Sequence, residues 1–239
     1  MDLIKLGLIA KKTAIKAGDF LVSQKEEKKV VENDEGRDIK LELDRETELL
    51  IRKELAQTNI NVQGEEIDSN FQENLRWVVD PIDGTANYFR GLNQCCVSIA
   101  LMEGDKCLIG IIYDFNAMEC YEAIKGHKAK LNDEIISVSK IDSKSKASLT
   151  TGFPASESVE SSMNFLDDLK GWKKIRMFGS AALSCAYVAS GKCDYYAEKG
   201  VYLWDFAAGI CLVEEAGGKV EFSKVDLDRY EVKFSNGKL

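Results

Sequence analysis

Histidine is almost missing from this chain of 239 residues, which has only His127, between Gly126 and Lys128 in a loop-like stretch. Catalysis by Ser-His-Asp or Cys-His clusters, and histidine-rich zinc or iron sites, each need an imidazole among the working groups. We interpret the one histidine as an ordinary surface residue. The sequence therefore excludes these classes of site and leaves chemistry that carboxylates and metal ions carry out.

Paired cysteine motifs are also missing. The chain has seven cysteines, an odd number, and none of them forms a CxxC pair, so neither a disulfide framework nor a zinc site is indicated. We expect the adjacent Cys95 and Cys96 to be half-buried strand residues in a reducing compartment.

Long apolar runs and an excess of positive charge are the remaining absences. No run approaches the roughly 18 residues that a membrane span needs. The net charge of −8 disfavours nucleic acid or an anionic membrane as an obligate partner. The sequence thus predicts a cytoplasmic globular protein, and an acidic enzyme can still act on phosphates if metal ions neutralise its site.

The chain does have enough apolar residues, 45%, for one large domain or two closely packed ones. Helical spacing predicts an amphipathic helix over residues 1–24 that packs on the core and a second helix over 44–57. A charged stretch at 26–37 is expected to be a turn or flap. The predicted strands of the first half are a short one at 60–62, the apolar run that ends at Asp80, and a meander at 95–102, 106–113 and 117–123.

The second half alternates strands with helices, which indicates a layered α/β arrangement. Its predicted strands lie at 148–152, 174–177 and 195–198, and its predicted helices lie at 156–170, 180–190 and 205–216. The polar, Lys/Ser-rich stretch 139–148 is either a boundary between two halves or a surface loop. We predict a mixed α/β (α+β) fold with an antiparallel-rich N-terminal half, residues 1–138, and an α/β C-terminal half, residues 139–239.

The most informative motif is the sequence WVVDPIDGTAN at 77–87. Pro81 has no N–H to give a sheet, so the strand is expected to stop at Asp80. In the turn that follows, Asp80, Asp83 and the Ile82 carbonyl can direct oxygens to one point, and such oxygens suit Mg²⁺ or Mn²⁺. Gly84 and a helix that begins nearby would offer N–H groups to an anion. The alternative is a type I turn with two solvated aspartates.

Three other acidic positions have equally ordinary alternatives when each is considered alone. Glu65 follows Gly64 at the end of the short strand, but adjacent glutamates are usually solvated. Asp44 and Asp205 each stand where a helix begins, so either one could be only an N-cap.

The order of these acidic residues along the chain resembles that of the inositol monophosphatase family, which consists of Mg²⁺-dependent, lithium-sensitive phosphatases. The first family signature resembles WVVDPIDGTANY at 77–88, and the second resembles WDFAAG at 204–209 through EAGG at 215–218. The segments GEE at 64–66 and GSAA at 179–182 lie where the family order would put them. The resemblance runs from the first helix to about Gly237, and it implies the layered αβαβα sandwich of the sugar phosphatases.

The resemblance also implies roles for individual residues. Two or three Mg²⁺ ions would be ligated by Glu65, Asp80, the Ile82 carbonyl, Asp83 and Asp205. Gly84 and Thr85 would offer backbone N–H groups to phosphate, and Asp83 and Asp205 would also face the substrate. Asp44 would sit beside Thr85, and Glu65 with the Thr85 hydroxyl would orient the attacking water and accept its proton. The substrate pocket would be lined by Gly179, Ala181 and Glu198.

The remaining expectations follow from the same resemblance. Mn²⁺ would substitute for Mg²⁺, Ca²⁺ and Li⁺ would inhibit, and the protein would be a homodimer that acts on a small phosphorylated substrate. We expect an inositol monophosphate or a related polyol or sugar phosphate. A bisphosphate nucleotidase and a fructose-1,6-bisphosphatase are the enzymatic alternatives, and a regulatory binding protein that keeps the fold is the alternative of another class.

Overall fold

The computed structural model describes residues 1–25, 31–35, 38–67, 73–153 and 159–239. Side chains are described within these ranges except at 31–35, 38–41, 159–162 and 164. The turn expected within 26–37 therefore lies largely outside the described residues.

The described residues form six α-helices and fourteen strands. The helices are α1 (Leu3–Ser23), α2 (Glu42–Leu55), α3 (Thr85–Arg90), α4 (Val159–Asp168), α5 (Ala181–Ala189) and α6 (Leu203–Glu215). The first nine strands are β1 (Val31–Glu35), β2 (Asp38–Leu41), β3 (Val62–Gly64), β4 (Leu75–Asp83), β5 (Cys96–Glu103), β6 (Lys106–Asp114), β7 (Glu119–Ile124), β8 (Lys130–Leu131) and β9 (Glu134–Ile135). The last five are β10 (Ser148–Thr150), β11 (Lys174–Arg176), β12 (Tyr195–Tyr202), β13 (Lys219–Lys224) and β14 (Arg229–Ser235).

The larger sheet has seven strands in the order β3-β4-β5-β6-β7-β8-β9. The pair β3–β4 is parallel and every other pair in this sheet is antiparallel. Successive side chains along its strands face two different cores. On β4, Trp77 and Val79 face one apolar cluster and Val78 faces the other. The two-residue period of a strand explains why both faces are apolar. This sheet therefore needs a helical layer on each side.

The smaller sheet has five strands in the order β11-β10-β12-β14-β13. Its first three strands are parallel and its last two pairs are antiparallel. The parallel strands are joined through α4 and α5, as crossover connections require.

The layers are helices, sheet, helices, sheet and helix. Helices α1 and α2 cover one face of the larger sheet, and α5 and α6 lie between the two sheets. On the far side of the smaller sheet, Phe165 of α4 and Tyr195 of β12 line a cavity of about 710 Å³. The αβαβα sandwich and the mixed α/β class are confirmed.

The middle layer joins the two halves of the chain. Val78 and Cys96 of the larger sheet belong to the same apolar cluster as Phe206 of α6 and Phe234 of the smaller sheet. The Lys/Ser-rich stretch contains a short 3₁₀ helix, Lys144–Lys146, and its last residue, Ser148, begins β10. A division at 138/139 remains a prediction.

Several expected boundaries were wrong. The strand of the first motif does not stop at Asp80 but continues through Pro81 to Asp83, which pairs with Cys96. The ladder is irregular between Asp80 and Asp83, so the missing N–H of Pro81 falls where no regular pairing needs it. The short strand lies at Val62–Gly64 rather than at 60–62, and β13 and β14 were not predicted.

The structure also shows the environments of the cysteines and of the single histidine. All seven cysteines are free thiols, and Cys95 and Cys96 are fully buried rather than half-buried. Cys96 begins β5, whereas Cys95 lies one residue before the strand. His127 is exposed. Within the described part of the chain, no helix combines the length and the apolar character that a bilayer crossing requires.

Candidate active site

The irregular end of β4 forms the centre of the site. Asp80 turns its Oδ1 back to accept the Ile82 N–H at 3.0 Å, while Gly84 adopts a φ of 91° before α3 begins at Thr85. A side chain at Gly84 would lie 2.7 Å from the carbonyl oxygen of Gln94. Only glycine therefore combines this left-handed conformation with so close a backbone approach.

Three aspartates converge at this turn. Carboxylate oxygens of Asp80, Asp83 and Asp205 all lie within 4.8 Å of one another. Asp80 and Asp83 are buried, and Asp205 is partly buried. Residues that are far apart in the sequence thus share one acidic centre.

Asp205 reaches this centre from the first turn of α6. The helix begins at Leu203, so Asp205 is its third residue, and the alternative that it is the N-cap is wrong. Its Oδ2 accepts the backbone N–H of Tyr202 at 2.7 Å. This bond holds the carboxylate at the amino end of the helix, where the dipole favours negative charge.

Asp83 is held by the amino end of α5. Its two oxygens accept the N–H groups of Ala181 at 3.2 Å and Ala182 at 2.9 Å. The Ser180 hydroxyl also donates to Asp83 and accepts the Leu183 N–H as the N-cap of α5. The orientation of Asp83 is therefore set by a helix from the other half of the chain.

Glu65 follows β3 and is partly exposed. The loop around it is fixed by an ion pair on α2, in which the partly exposed Arg52 donates from Nε to Oε1 of the buried Glu48 at 2.7 Å. Glu48 Oε2 accepts the Glu66 N–H at 2.7 Å, and Arg52 donates to the carbonyls of Val62 and Ile67. The α2 pair therefore forms hydrogen bonds on both sides of Glu65 and holds this segment in place.

Asp44 and Thr85 lie together as the resemblance implies. The Thr85 Oγ1 is 3.2 Å from Asp44 Oδ1 and 2.9 Å from the Ile82 carbonyl oxygen. Because α2 begins at Glu42, Asp44 lies inside its first turn and is buried, so it is not an N-cap.

Glu198 lies on β12, in the C-terminal half of the chain. Its Oε2 accepts the hydroxyl of the fully buried Tyr196 at 2.9 Å. Gly152 lies against the same carboxylate, since a Cβ built there would be 1.9 Å from Glu198 Oε1. Desolvation is the main cause of the raised pKa of Glu198, and the negative charge of Asp83 adds to it, which places both carboxylates in one electrostatic environment.

Asn87 connects the two halves at this point. Its Nδ2 lies 2.7 Å from the carbonyl oxygens of both Gln94 and Phe178. Gly179, whose φ is 68°, passes directly over the Asn87 amide. The turn of the first motif and the segment that precedes α5 are therefore held together by one side chain.

Burial and mutual repulsion raise the pKa values of the acidic groups in the site. Desolvation and then the charge of Glu65 raise the pKa of Asp80 well above its ordinary value. Desolvation and then the charge of Asp83 do the same for Asp205. Desolvation raises the pKa of Asp83 to about 6 against the opposing hydrogen bond from Ser180. Desolvation likewise raises the pKa of Glu198 to about 7.

A divalent cation fits this donor set. Carboxylates and the Ile82 carbonyl are hard oxygen ligands. Among the residues that the structure describes, no lysine or arginine forms an ion pair with Asp80, Asp83 or Asp205. Converging carboxylates of this kind are unfavourable when they are ionised without a partner. A bound cation would supply that partner.

The structure brings most of the expected residues to one place. Around the aspartates lie the Ile82–Thr85 turn, Asp44, Ala181 and Glu198, and the charge of Glu65 acts on two of the three aspartates. The residues that the sequence interpretation missed are those that orient the others, namely Glu48, Arg52, Asn87, Gly152, Ser180 and Tyr196. Asn87 lies within the first motif, and Gly152 and Ser180 gave only the local signal of turn and cap residues.

Known proteins share this fold and sequence pattern. The model of the inositol monophosphatase family matches residues 3–228. The chain is 39% identical over 198 residues to Nus factor SuhB of Xylella fastidiosa, covering 80% of this chain and 72% of that protein. It is 34% identical over 208 residues to the fructose-1,6-bisphosphatase/inositol-1-monophosphatase of Thermotoga maritima, covering 84% and 79%. The solved inositol monophosphatase of Anabaena superposes with a TM-score of 0.86 at 30% identity, covering 100% of this chain and 93% of that one.

Proposed function

This chain belongs to the inositol monophosphatase family and is a phosphatase, and we propose that it hydrolyses a small polyol or sugar phosphate monoester with Mg²⁺ as cofactor. The observation that carries this proposal is the acidic centre of Asp80, Asp83 and Asp205 beside the Gly84-Thr85 turn. An inositol monophosphate is the first candidate substrate.

Two or three Mg²⁺ ions would be held by Glu65, Asp80, the Ile82 carbonyl, Asp83 and Asp205. When bound, such ions neutralise the phosphate and stabilise the charge that develops on the attacking and leaving oxygens. Mn²⁺ would substitute, and Ca²⁺ and Li⁺ would inhibit.

The protein groups would orient the reactants. Thr85, whose hydroxyl lies between Asp44 and the Ile82 carbonyl, would act with Glu65 to position the attacking water and accept its proton. The N–H groups of Gly84 and Thr85 would bind phosphate oxygens. Asp205 would hold the water that protonates the leaving oxygen.

The leaving alcohol would lie on the side of the C-terminal half. Gly179, Ala181 and Glu198 would line this pocket, with Glu198 accepting a substrate hydroxyl. Tyr88 of the motif does not take part in binding, because it is buried and its hydroxyl donates to the Leu21 carbonyl at 2.8 Å.

Phosphate release from several esters tests the function. The panel contains inositol 1-phosphate, fructose 1,6-bisphosphate, histidinol phosphate and adenosine 3′,5′-bisphosphate, each with and without Mg²⁺. We expect Mg²⁺-dependent release that is fastest from the inositol ester and is lost in Asp80→Asn. Glu103→Gln, which removes one exposed carboxylate in a hairpin, is the matched control. Absence of Mg²⁺-dependent release from every ester would refute the proposal.

A second function is suggested by the names of several relatives, which are called Nus factor SuhB. We propose that any such role would use the outer surface and would not need the acidic centre. Asp80→Asn should then lose phosphatase activity but retain capture of a large protein partner. Loss of both properties in this variant would contradict the separation.

We also propose that the protein is a cytoplasmic homodimer that needs neither nucleic acid nor a membrane as a partner. The seven buried, free cysteines are consistent with a reducing compartment. Light scattering of the purified protein would test the dimer, and a monomeric mass at micromolar concentration would contradict it.

A further inference from the structure

Two neighbouring residues determine where the Glu198 carboxylate lies. One oxygen, Oε2, accepts the Tyr196 hydroxyl at 2.9 Å. The other oxygen, Oε1, lies over Gly152, where any side chain would collide with it. One oxygen is thus held by a hydrogen bond, and the other occupies the space that the missing side chain of Gly152 leaves.

Tyr196 is unusual because its ring belongs to the apolar core while its hydroxyl reaches the site. The residue is 0% exposed and stacks on Phe234 with ring centroids 5.8 Å apart. A phenylalanine would fill this core position as well. The hydroxyl therefore has a separate purpose, and its hydrogen bond goes to Glu198.

The fixed carboxylate remains partly exposed, so its remaining lone pairs can accept further hydrogen bonds. A leaving alcohol that carries other hydroxyl groups supplies such donors, whereas an aryl leaving group does not. A site built to receive a hydroxyl discriminates strongly against an analogue that lacks one, because its polar groups are then left unpaired. The orientation of Glu198 should therefore affect one class of substrate only.

We propose that Tyr196 and Gly152 are positioning residues that act through Glu198 and make the enzyme select phosphate esters of polyols. This assignment rests on the proposed phosphatase function and deepens it, because it names the residues that favour a hydroxyl-bearing leaving group. Neither residue is required to touch the substrate or the reacting phosphate.

The test compares two esters at saturating Mg²⁺, namely inositol 1-phosphate and p-nitrophenyl phosphate. In Tyr196→Phe, we expect KM for the inositol ester to rise about two- to ten-fold, as the loss of one hydrogen bond predicts. The kcat/KM for p-nitrophenyl phosphate should stay within about two-fold, since it has no hydroxyl for Glu198 to accept. Gly152→Ala should give the same selective loss because its Cβ would displace the carboxylate.

The double variant Tyr196→Phe/Glu198→Gln shows whether the tyrosine acts through the glutamate. It should bind the inositol ester no more weakly than Glu198→Gln alone, because residues that act as one unit are not additive. Tyr195→Phe is the matched control. That tyrosine is the neighbour on β12, and its ring lies beside Trp172 at 5.2 Å.

If Tyr196→Phe reduced kcat/KM equally for the two esters, or if the losses in the double variant were additive, the role of Tyr196 would be only structural. Either result would overturn the assignment and leave the proposed phosphatase function intact. A wild-type protein that releases phosphate neither from these two esters nor from any other ester of the panel would overturn the proposed function and this assignment together.

Discussion

The position of Asp83 depends on a distant part of the chain. Its carboxylate accepts hydrogen bonds from Ser180, Ala181 and Ala182, all at the amino end of α5. Hydrogen bonds to a charged group are stronger than neutral ones. Ser180 should therefore affect cation binding although it is not itself an expected ligand.

Replacement of Ser180 tests this. Ser180→Ala should raise the Mg²⁺ concentration for half-maximal phosphate release by roughly ten-fold, the value expected for a lost hydrogen bond of about 1.5 kcal/mol to a carboxylate. Ser180→Thr should restore most of the affinity because it keeps the hydroxyl. Ser190→Ala, at the far end of α5, is the control, and an equal effect there would show that the helix is simply less stable.

At the scale of elements, the sequence predicted what depends on local pattern. The meander and the helices of the second half follow from spacing and turn residues, and the structure contains all of them. The strand of the first motif was expected to end at Asp80 and ends instead at Asp83. The missed strand β13 also carries a local signal, because Val220 and Phe222 alternate with Lys219 and Glu221. Alternating apolar residues in so short and charged a segment are easily assigned to a loop.

What the sequence could not predict is the set of contacts between elements. Glu48 and Arg52 have helical spacing and suggest only an ordinary i,i+4 pair on a surface. The structure instead buries Glu48 and connects the pair to the loop of Glu65. The relation of α2 to β3, which no local pattern specifies, gives these residues their importance.

The α2 pair should therefore control the Glu65 loop. Glu48→Gln would weaken the pair and the bond to the Glu66 N–H, which should cost about 1–3 kcal/mol of stability and raise the Mg²⁺ requirement. Glu54 lies on α2 like Glu48, but it is partly exposed and pairs with Lys16 of α1. Glu54→Gln should therefore cost about 1 kcal/mol or less. Thermal unfolding and Mg²⁺ titration of activity measure both effects. An unchanged Mg²⁺ requirement in a folded Glu48→Gln protein would contradict this function of the pair.

At the scale of the whole molecule, the acidic centre opposes folding when no cation is bound. The pKa of Asp83 is raised from 3.8 to about 6, and the pKa values of Asp80 and Asp205 are also raised. Groups with raised pKa values bind more protons in the folded state than in the unfolded state. Their unfavourable contribution is therefore absent below the ordinary aspartate pKa and grows as the pH rises through the folded pKa.

This predicts a stabilising active-site mutation. In metal-free buffer, Asp80→Asn should unfold at a higher temperature than the wild type at pH 8, and the difference should shrink at pH 5, where more of the centre is protonated. Added Mg²⁺ should stabilise the wild type more than the variant, because a ligand stabilises the state that binds it. Thermal unfolding at both pH values measures this, and a variant that is less stable than the wild type at pH 8 would argue against a repulsive centre.

The most direct test of the account is the rate of phosphate release from inositol 1-phosphate as a function of Mg²⁺ concentration in the wild type, Asp80→Asn and Asp205→Asn. These aspartates come from β4 and α6, so the test addresses both halves of the site. We predict a saturable Mg²⁺ dependence in the wild type and a loss of at least about 100-fold in each variant, which is the effect of removing one group that stabilises the transition state. Release that is independent of Mg²⁺, or that persists in either variant, would contradict it.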